Sequence, residues 1–168
     1  MENAILKQEL YENIAIINFQ KIPEPMGKIM NLLSIPFHLK FFTIIIIVLY
    51  LKKIINPTDV ILLSVSQIIV GLVKYLVKRK RPYIASKNII KNKDSLKLDH
   101  YSFPSGHTVN AFLLFLILRK NNIITNNYII LPYLVGLSRI YLGVHYPTDI
   151  IGGILMSYII YNLSIHFK

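Results

Sequence analysis

Three groups of polar residues interrupt an otherwise apolar chain of 168 residues, and their types are those of anion chemistry. The first is Lys74 with Arg81-Pro82, the second Pro104-Ser105-Gly106-His107, and the third Ser138-Arg139 followed by His145 and Asp149. On a continuing helix Lys74 and Arg81 would differ by roughly 20° and lie about 10 Å apart along the axis. Pro82 disfavours helical geometry at Arg81, so the helix is expected to end before it and Arg81 to curl back toward Lys74. A lysine in an apolar span usually has a partner, and a phosphate, which an arginine grips bidentately, is one. The plainer alternative is a snorkelling lysine followed by a solvated basic loop.

In the second group Ser105 is a natural N-cap, and Gly106 permits close approach to the N–H groups of a helix start, which bind anions. His107, in the first turn, is placed to give a proton to a leaving oxygen. A plainly capped helix explains the same four residues without chemistry. In the third group Pro147 suits the first helical position, which sets Asp149 at the third. From there a carboxylate reaches back to His145, fixes one ring nitrogen and leaves the other free to attack. An acidic helix cap beside an interfacial histidine is the alternative.

Membrane helices have to position these groups. Hydrophobic residues make up 54% of the chain and charged ones only 16%, with a mean hydropathy of +0.50, which does not fit an ordinary soluble domain. The net charge of +11 would suit nucleic acid or an anionic membrane surface. The bases are spread between apolar spans and match no recognition module, so membrane lipid and no nucleic acid is the expected partner. The absence of cysteine excludes disulfides and thiolate chemistry. The first residues lack the basic start, apolar run and cleavage site of a secretory signal, so insertion is expected to rely on the spans themselves.

Residues 4–20 place Leu10, Ile14 and Ile17 at helical spacing among Lys7, Glu9 and Glu12, which predicts an interfacial helix. Pro23-Glu24-Pro25 breaks it, and a second short helix is predicted over Met26 to Leu33. Spans are predicted at Phe37 to Leu51, Thr58 to Val77, Ser105 to Lys120, Tyr128 to Tyr141 and Pro147 to Ile165. The fold class is therefore all-α, an integral membrane helical bundle of about five transmembrane helices after N-terminal interfacial helices. Residues 1–36 form the interfacial part and residues 37–168 the transmembrane catalytic domain.

Counting crossings brings Lys74, Arg81, Ser105, His107, Arg139, His145 and Asp149 to one face, with Lys52, Lys53, Arg119, Lys120 and Lys168 at the other. Lys78, Arg79, Lys80, Lys87, Lys91, Lys93 and Lys97 belong to a long polar connection between spans. Gly71, Gly136, Gly152 and Gly153 are expected to allow close helix packing, and His38, His100 and His166 to be interfacial or loop residues.

In this order, Lys-x6-Arg-Pro, Pro-Ser-Gly-His and Ser-Arg-x5-His-x3-Asp resemble the signature motifs of the type 2 phosphatidic acid phosphatases (PAP2). That family shares its site with the vanadium-dependent haloperoxidases and the bacterial class A acid phosphatases. Every signature position is met, and the resemblance covers about residues 37–168. It implies a PAP2-like bundle and a lipid phosphate phosphatase working through a phosphohistidine. His145 would attack phosphorus, Asp149 would hold its ring, and His107 would protonate the leaving alkoxide and then activate water. Lys74, Arg81 and Arg139, with the Ser105 hydroxyl and the Gly106 N–H, would hold the non-bridging oxygens. Three fixed cations would replace the metal that many phosphatases use, so no metal and no other cofactor is expected.

A site at helix ends, open to the interface, suits a substrate with a lipid tail. Phosphatidic acid, lysophosphatidic acid, phosphatidylglycerophosphate and polyprenyl diphosphate all present the same group to these cations. The same chemistry would serve a phosphoryl or head-group transferase. A non-catalytic lipid-binding membrane protein is the third reading, and against it no catalytic position is lost. The short chain and the spans disfavour a haloperoxidase. Basic residues flank the spans on both faces, so their count does not choose an orientation. The resemblance implies a site on the extracytoplasmic or lumenal face.

Overall fold

The computed structural model describes residues 2–23, 25–90 and 100–166. Among them every regular element is helical, beside an isolated β-bridge between Lys80 and Tyr101. The order is α1 (Glu2–Gln20), α2 (Pro25–Ser34), a 3-10 turn (Ile35–Phe37), α3 (Leu39–Leu51), α4 (Pro57–Val77) and the short α5 (Pro82–Ala85). Then come α6 (Gly106–Lys120), a second 3-10 turn (Asn126–Ile129), α7 (Ile130–Tyr141) and α8 (Pro147–His166).

The helix ends follow local chemistry. Asn56 caps α4 by accepting from Asp59 N at 2.9 Å, and the Asp59 carboxylate accepts from Asn56 N at 3.3 Å. Pro57 takes the first helical position, as Pro147 does in α8. At its other end α4 stops at Lys78, whose φ of 52° is left-handed, so the chain has already left the helix before Arg81 and Pro82. Asp59 also receives Lys120 Nζ at 2.6 Å, tying the start of α4 to the end of α6 at the end of the bundle away from the polar groups.

Helix α6 is central. Every residue from His107 to Ile117 is buried, against α8, α7, α4 and the first 3-10 turn. Leu113, Leu114 and Ile117 join Phe42, Ile46, Leu63 and Ile160 in the main apolar cluster. Facing outward are apolar rows at helical spacing: Ile61, Val65, Ile68 and Leu72 on α4, and Ile151, Leu155 and Ile159 on α8. Exposed rows of this kind suit lipid, where helix association rests on close packing because lipid tails are as apolar as the helices.

A helix lies at each of the predicted spans, but the expected count of about five crossings is not what length and composition support. Among the described residues α4 and Pro147–Ile165 of α8 are long and apolar enough to cross a membrane. Pro25–Phe37 and Leu39–Leu51, bent by 55° at their junction, would make a third if they act as one span. Helices α6 and α7, with 15 and 12 residues, fall short of the ~20 that a bilayer requires. The burial of α6 gives the reason: its walls are other helices rather than lipid, so neither full length nor an apolar exterior is demanded of it.

The expectations for the glycines and for α1 divide. A Cβ at Gly136 would meet Ile150 of α8 at 2.7 Å and one at Gly153 the Ser105 carbonyl and Thr108 Cβ at the start of α6 at 3.0 Å, as close helix packing requires, whereas one at Gly152 would meet the ring of Phe103, in the loop before α6, at 2.4 Å. Gly71 has nothing within 4 Å of such a Cβ, because it faces an open cleft instead of a neighbouring helix. Glu12, one of the charges that marked α1 as interfacial, points into protein, and Ile16 beside it is fully buried. Lys91, Lys93, Lys97, Glu24 and Lys168 lie outside the described residues.

Candidate active site

Helix ends bring the polar groups together. Lys74 lies in the last turn of α4, Arg81 just before α5, His107 in the first turn of α6, Arg139 in the last turn of α7 and Asp149 in the first turn of α8. A cleft of about 350 Å³ opens among them. Lys74, Arg81, His107, His145, Gln67 and Asn110 line it together with apolar Phe37, Leu39 and Val70. A larger hollow of about 670 Å³ at the opposite end of the helices is lined by Tyr50, Lys53, Asn56 and Asn121 and contains none of these residues.

His145 is oriented from both sides. Its Nδ1 lies 3.3 Å from Asp149 Oδ2, which also accepts from Tyr146 N at 2.8 Å. Its Nε2 lies 3.2 Å from Arg81 NH1, which also donates to Val144 O at 2.8 Å. A carboxylate can only accept, so Nδ1 carries the proton and Nε2 keeps its lone pair toward the cleft. The loop that presents this ring is short: Val144 N and His145 N donate back to Arg139 O at 3.2 and 3.3 Å, and Gly143 turns the chain with φ 69°. Asp149 is bound at every face, its carbonyl accepting from Ser105 N at 3.1 Å.

Not every expected phosphate ligand faces the cleft. Lys74 does so while donating to Tyr101 O at 3.1 Å. Ser105 Oγ is committed to capping α6, accepting from Thr108 N at 3.4 Å and Thr108 Oγ1 at 2.9 Å. Arg139 is buried beside the cleft, with NH1 donating to Ser34 Oγ at 2.8 Å and Nε making no hydrogen bond. Ser138 Oγ bonds back to Val135 O within its own helix.

Sequence reasoning passed over other residues. His38, expected in a loop, lines the cleft with its ring centroid 5.9 Å from that of His107. His100 is exposed, and the side chain of His166 lies outside the described residues. Arg79, placed in the solvated basic loop, instead donates to Asp149 Oδ1 at 2.8 Å and Glu12 Oε2 at 2.6 Å. Burial opposes its charge, but the carboxylates of Asp149 and Glu12 outweigh burial and hold its pKa above the usual guanidinium value. Burial also pushes the Tyr146 phenol up to about 12, so the ring packed against this guanidinium stays neutral at ordinary pH. Arg79 sits in a run of four basic residues, Lys78 to Arg81, and no spacing rule separates it from its neighbours.

Residues 58–168 match the model of the PAP2 superfamily. Phosphatidylglycerophosphatase B of Bacillus subtilis is 35% identical over 75 residues, which are 38% of this chain and 37% of that protein. The undecaprenyl-diphosphatase of Sulfolobus acidocaldarius is 35% identical over 109 residues, 62% of this chain and 51% of that protein. The chain spans about half the length, or less, of the curated relatives it matches. A solved transmembrane PAP2-type phosphatidylglycerolphosphate phosphatase from Bacillus subtilis superposes with a TM-score of 0.69 at 21% identity, covering 99% of this chain and 89% of that one.

Proposed function

The chain belongs to the PAP2 superfamily, and we propose that within it this protein is a membrane-bound lipid phosphate phosphatase. The observation that carries the reading is the cleft itself, whose lining combines Lys74, Arg81, His107 and His145 with apolar Phe37, Leu39 and Val70. Such a cleft suits a phosphate on a lipid tail. Relatives named for phosphatidylglycerophosphate and undecaprenyl diphosphate support the same substrate class. Residues 37–168 would form the catalytic domain and residues 1–36 its interfacial helices.

The geometry supports the following course. As the phosphate arrives, Arg81 turns from Nε2 of His145 to a non-bridging oxygen, freeing the lone pair. Nε2 attacks phosphorus in line with the lipid oxygen; the N–P bond forms as the P–O bond to the lipid breaks, and His107 gives that oxygen its proton. Asp149 stabilises the positive charge that develops on the ring. Water, giving a proton to His107, then attacks the phosphohistidine and inorganic phosphate leaves. Lys74, Arg81 and the Gly106 N–H would hold the oxygens that gain charge in both steps, and Arg139, buried beside the cleft, would add its positive charge to theirs. Ser105 fixes the start of α6 through the bonds that its oxygen accepts, and its own O–H would donate to a phosphate oxygen.

Phosphate release from purified protein, measured over phosphatidic acid, lysophosphatidic acid, phosphatidylglycerophosphate and polyprenyl diphosphate in detergent micelles, tests the reading. Release from at least one of them is expected, and none from any would sink it. The rate is expected to stay unchanged in excess chelator, because the cations are side chains; loss of release on chelation would overturn metal independence. An acceptor alcohol that diverts the phosphoryl group from water would favour the transferase reading.

The site is assigned to the extracytoplasmic or lumenal face, as is usual in membrane members of this family. With no native cysteine in the chain, one placed at Lys53, at the opposite end, is expected to escape an impermeant thiol reagent in intact cells. Labelling there would reverse the orientation.

A further inference from the structure

Behind the histidine, on the side away from the cleft, lies a closed ring of charge that the proposed mechanism does not use. Arg79 NH1 donates to Asp149 Oδ1 at 2.8 Å and to Thr148 Oγ1 at 2.6 Å, and NH2 donates to Glu12 Oε2 at 2.6 Å. The other Glu12 oxygen accepts from Thr148 N at 2.9 Å and Thr148 Oγ1 at 2.6 Å. The guanidinium lies over the Tyr146 ring, 3.9 Å from its centroid. Glu12 is 7% exposed and Asp149 0%. Buried ion pairs contribute little net stability, so stability alone is a weak reason for this arrangement.

The division of labour at Asp149 supplies a better one. Oδ2 is shared by Tyr146 N and His145 Nδ1, while Oδ1 is taken by Arg79. With Oδ1 held by Arg79, rotation of the carboxylate about its Cβ–Cγ bond is restrained and Oδ2 stays within reach of His145 Nδ1. Arg79 is itself pinned through NH2 by Glu12 of α1. Neither Arg79 nor Glu12 lines the cleft.

We propose that Arg79, clamped by Glu12 of the N-terminal helix, is a positioning residue that fixes the Asp149 carboxylate and through it the His145 ring. Helix α1 thereby becomes part of the catalytic apparatus although none of its described side chains lines the cleft. The inference rests on the reading of His145 as nucleophile. Because the clamp acts on orientation and not on substrate contacts, its loss should appear in kcat and leave KM unchanged.

The test is steady-state phosphate release by the purified full chain with the best lipid phosphate as substrate. R79Q is expected to lower kcat by about 10–100-fold, the effect typical of outer hydrogen-bond partners of an active group. R79K should recover part of that loss, since an ammonium can pair with Asp149 but cannot also span to Glu12. E12Q should lower kcat by less than R79Q, because it keeps the contact with Thr148 but removes the charge that holds the guanidinium. If R79Q does not fold, R79K and E12Q carry the test by the same criterion. An unchanged kcat, or a rise in KM in place of a fall in kcat, would overturn the inference. So would equal losses in R79Q and R79K that track a lowered Tm, which would make the clamp a structural tie only. A wild-type chain that releases no phosphate would overturn the functional reading and this inference together, whereas an active wild type matched by R79Q would remove the inference alone.

Discussion

His145→Ala is expected to reduce phosphate release to the uncatalysed background, a loss of up to about 10⁶-fold in kcat when a nucleophile acts with its partners as a unit. No neighbour can take over. Asp149 has its oxygens engaged by Tyr146 N, His145 and Arg79 and is fully buried. Among the described residues His107 has no carboxylate arranged behind it as Asp149 is behind His145, and in the proposed role of proton donor it would leave the alkoxide unprotonated if it attacked instead. Substrate affinity should fall little, because Lys74, Arg81 and Arg139 remain. The measurement is initial rate together with acid-labile phosphate bound to protein after a rapid quench. Wild type should show the bound phosphate and the variant none; a variant within tenfold of the wild-type rate would remove His145 from the nucleophile's role.

Asp149→Asn should be nearly as damaging, about 10⁴-fold by comparison with the corresponding change in a serine protease triad. The hydrogen bonds explain why an isosteric amide fails here. If its NH2 takes the Oδ2 position it meets the N–H of Tyr146 and forces His145 Nδ1 to become an acceptor, which puts the ring proton on Nε2 and removes the attacking lone pair. If it takes the Oδ1 position it meets the Arg79 guanidinium, donor against donor, with the ion pair gone. Either placement leaves a buried donor unsatisfied, so some loss of Tm is also expected. Measuring kcat and Tm together separates the two effects: a variant that keeps wild-type kcat would show that the tautomer is not set by Asp149.

The two predictions draw on different kinds of information. Most of what His145, Asp149, His107 and Ser105 require could be read along the chain, because helix caps and first-turn positions act within three or four residues. Pro147 set the register that placed Asp149 beside His145, and Pro82 announced that the helix carrying Lys74 would end before Arg81. Apolar periodicity likewise announced a helix at each predicted span. It did not give the number of crossings, because a short apolar helix walled in by other helices reads the same as one facing lipid, and α6 is of the first kind. For the same reason Gly71, at the mouth of the cleft, was indistinguishable from the glycines at true helix contacts.

The connections made across long separations were invisible. His38 meets His107 only because the 3-10 turn after α2 packs on α6. Arg139 finds Ser34 at a separation of 105 residues, and Arg79 finds Glu12 at 67. No periodicity or capping rule relates residues so far apart.

By itself, then, the sequence determined which polar residues stand where: three cations, two imidazoles and a carboxylate near the ends of apolar segments, in the ordered motifs of the PAP2 superfamily. Tertiary structure alone decided which cations face the cleft, that Ser105 Oγ accepts from Thr108 of its own helix, and that Glu12 and Arg79 stand behind His145 and Asp149. The physical reason is one of range. Caps, prolines and helical periods act through a turn or two of backbone, whereas the pairing of Glu12 with Arg79 exists only once α1 has docked against α7 and closed over the start of α8.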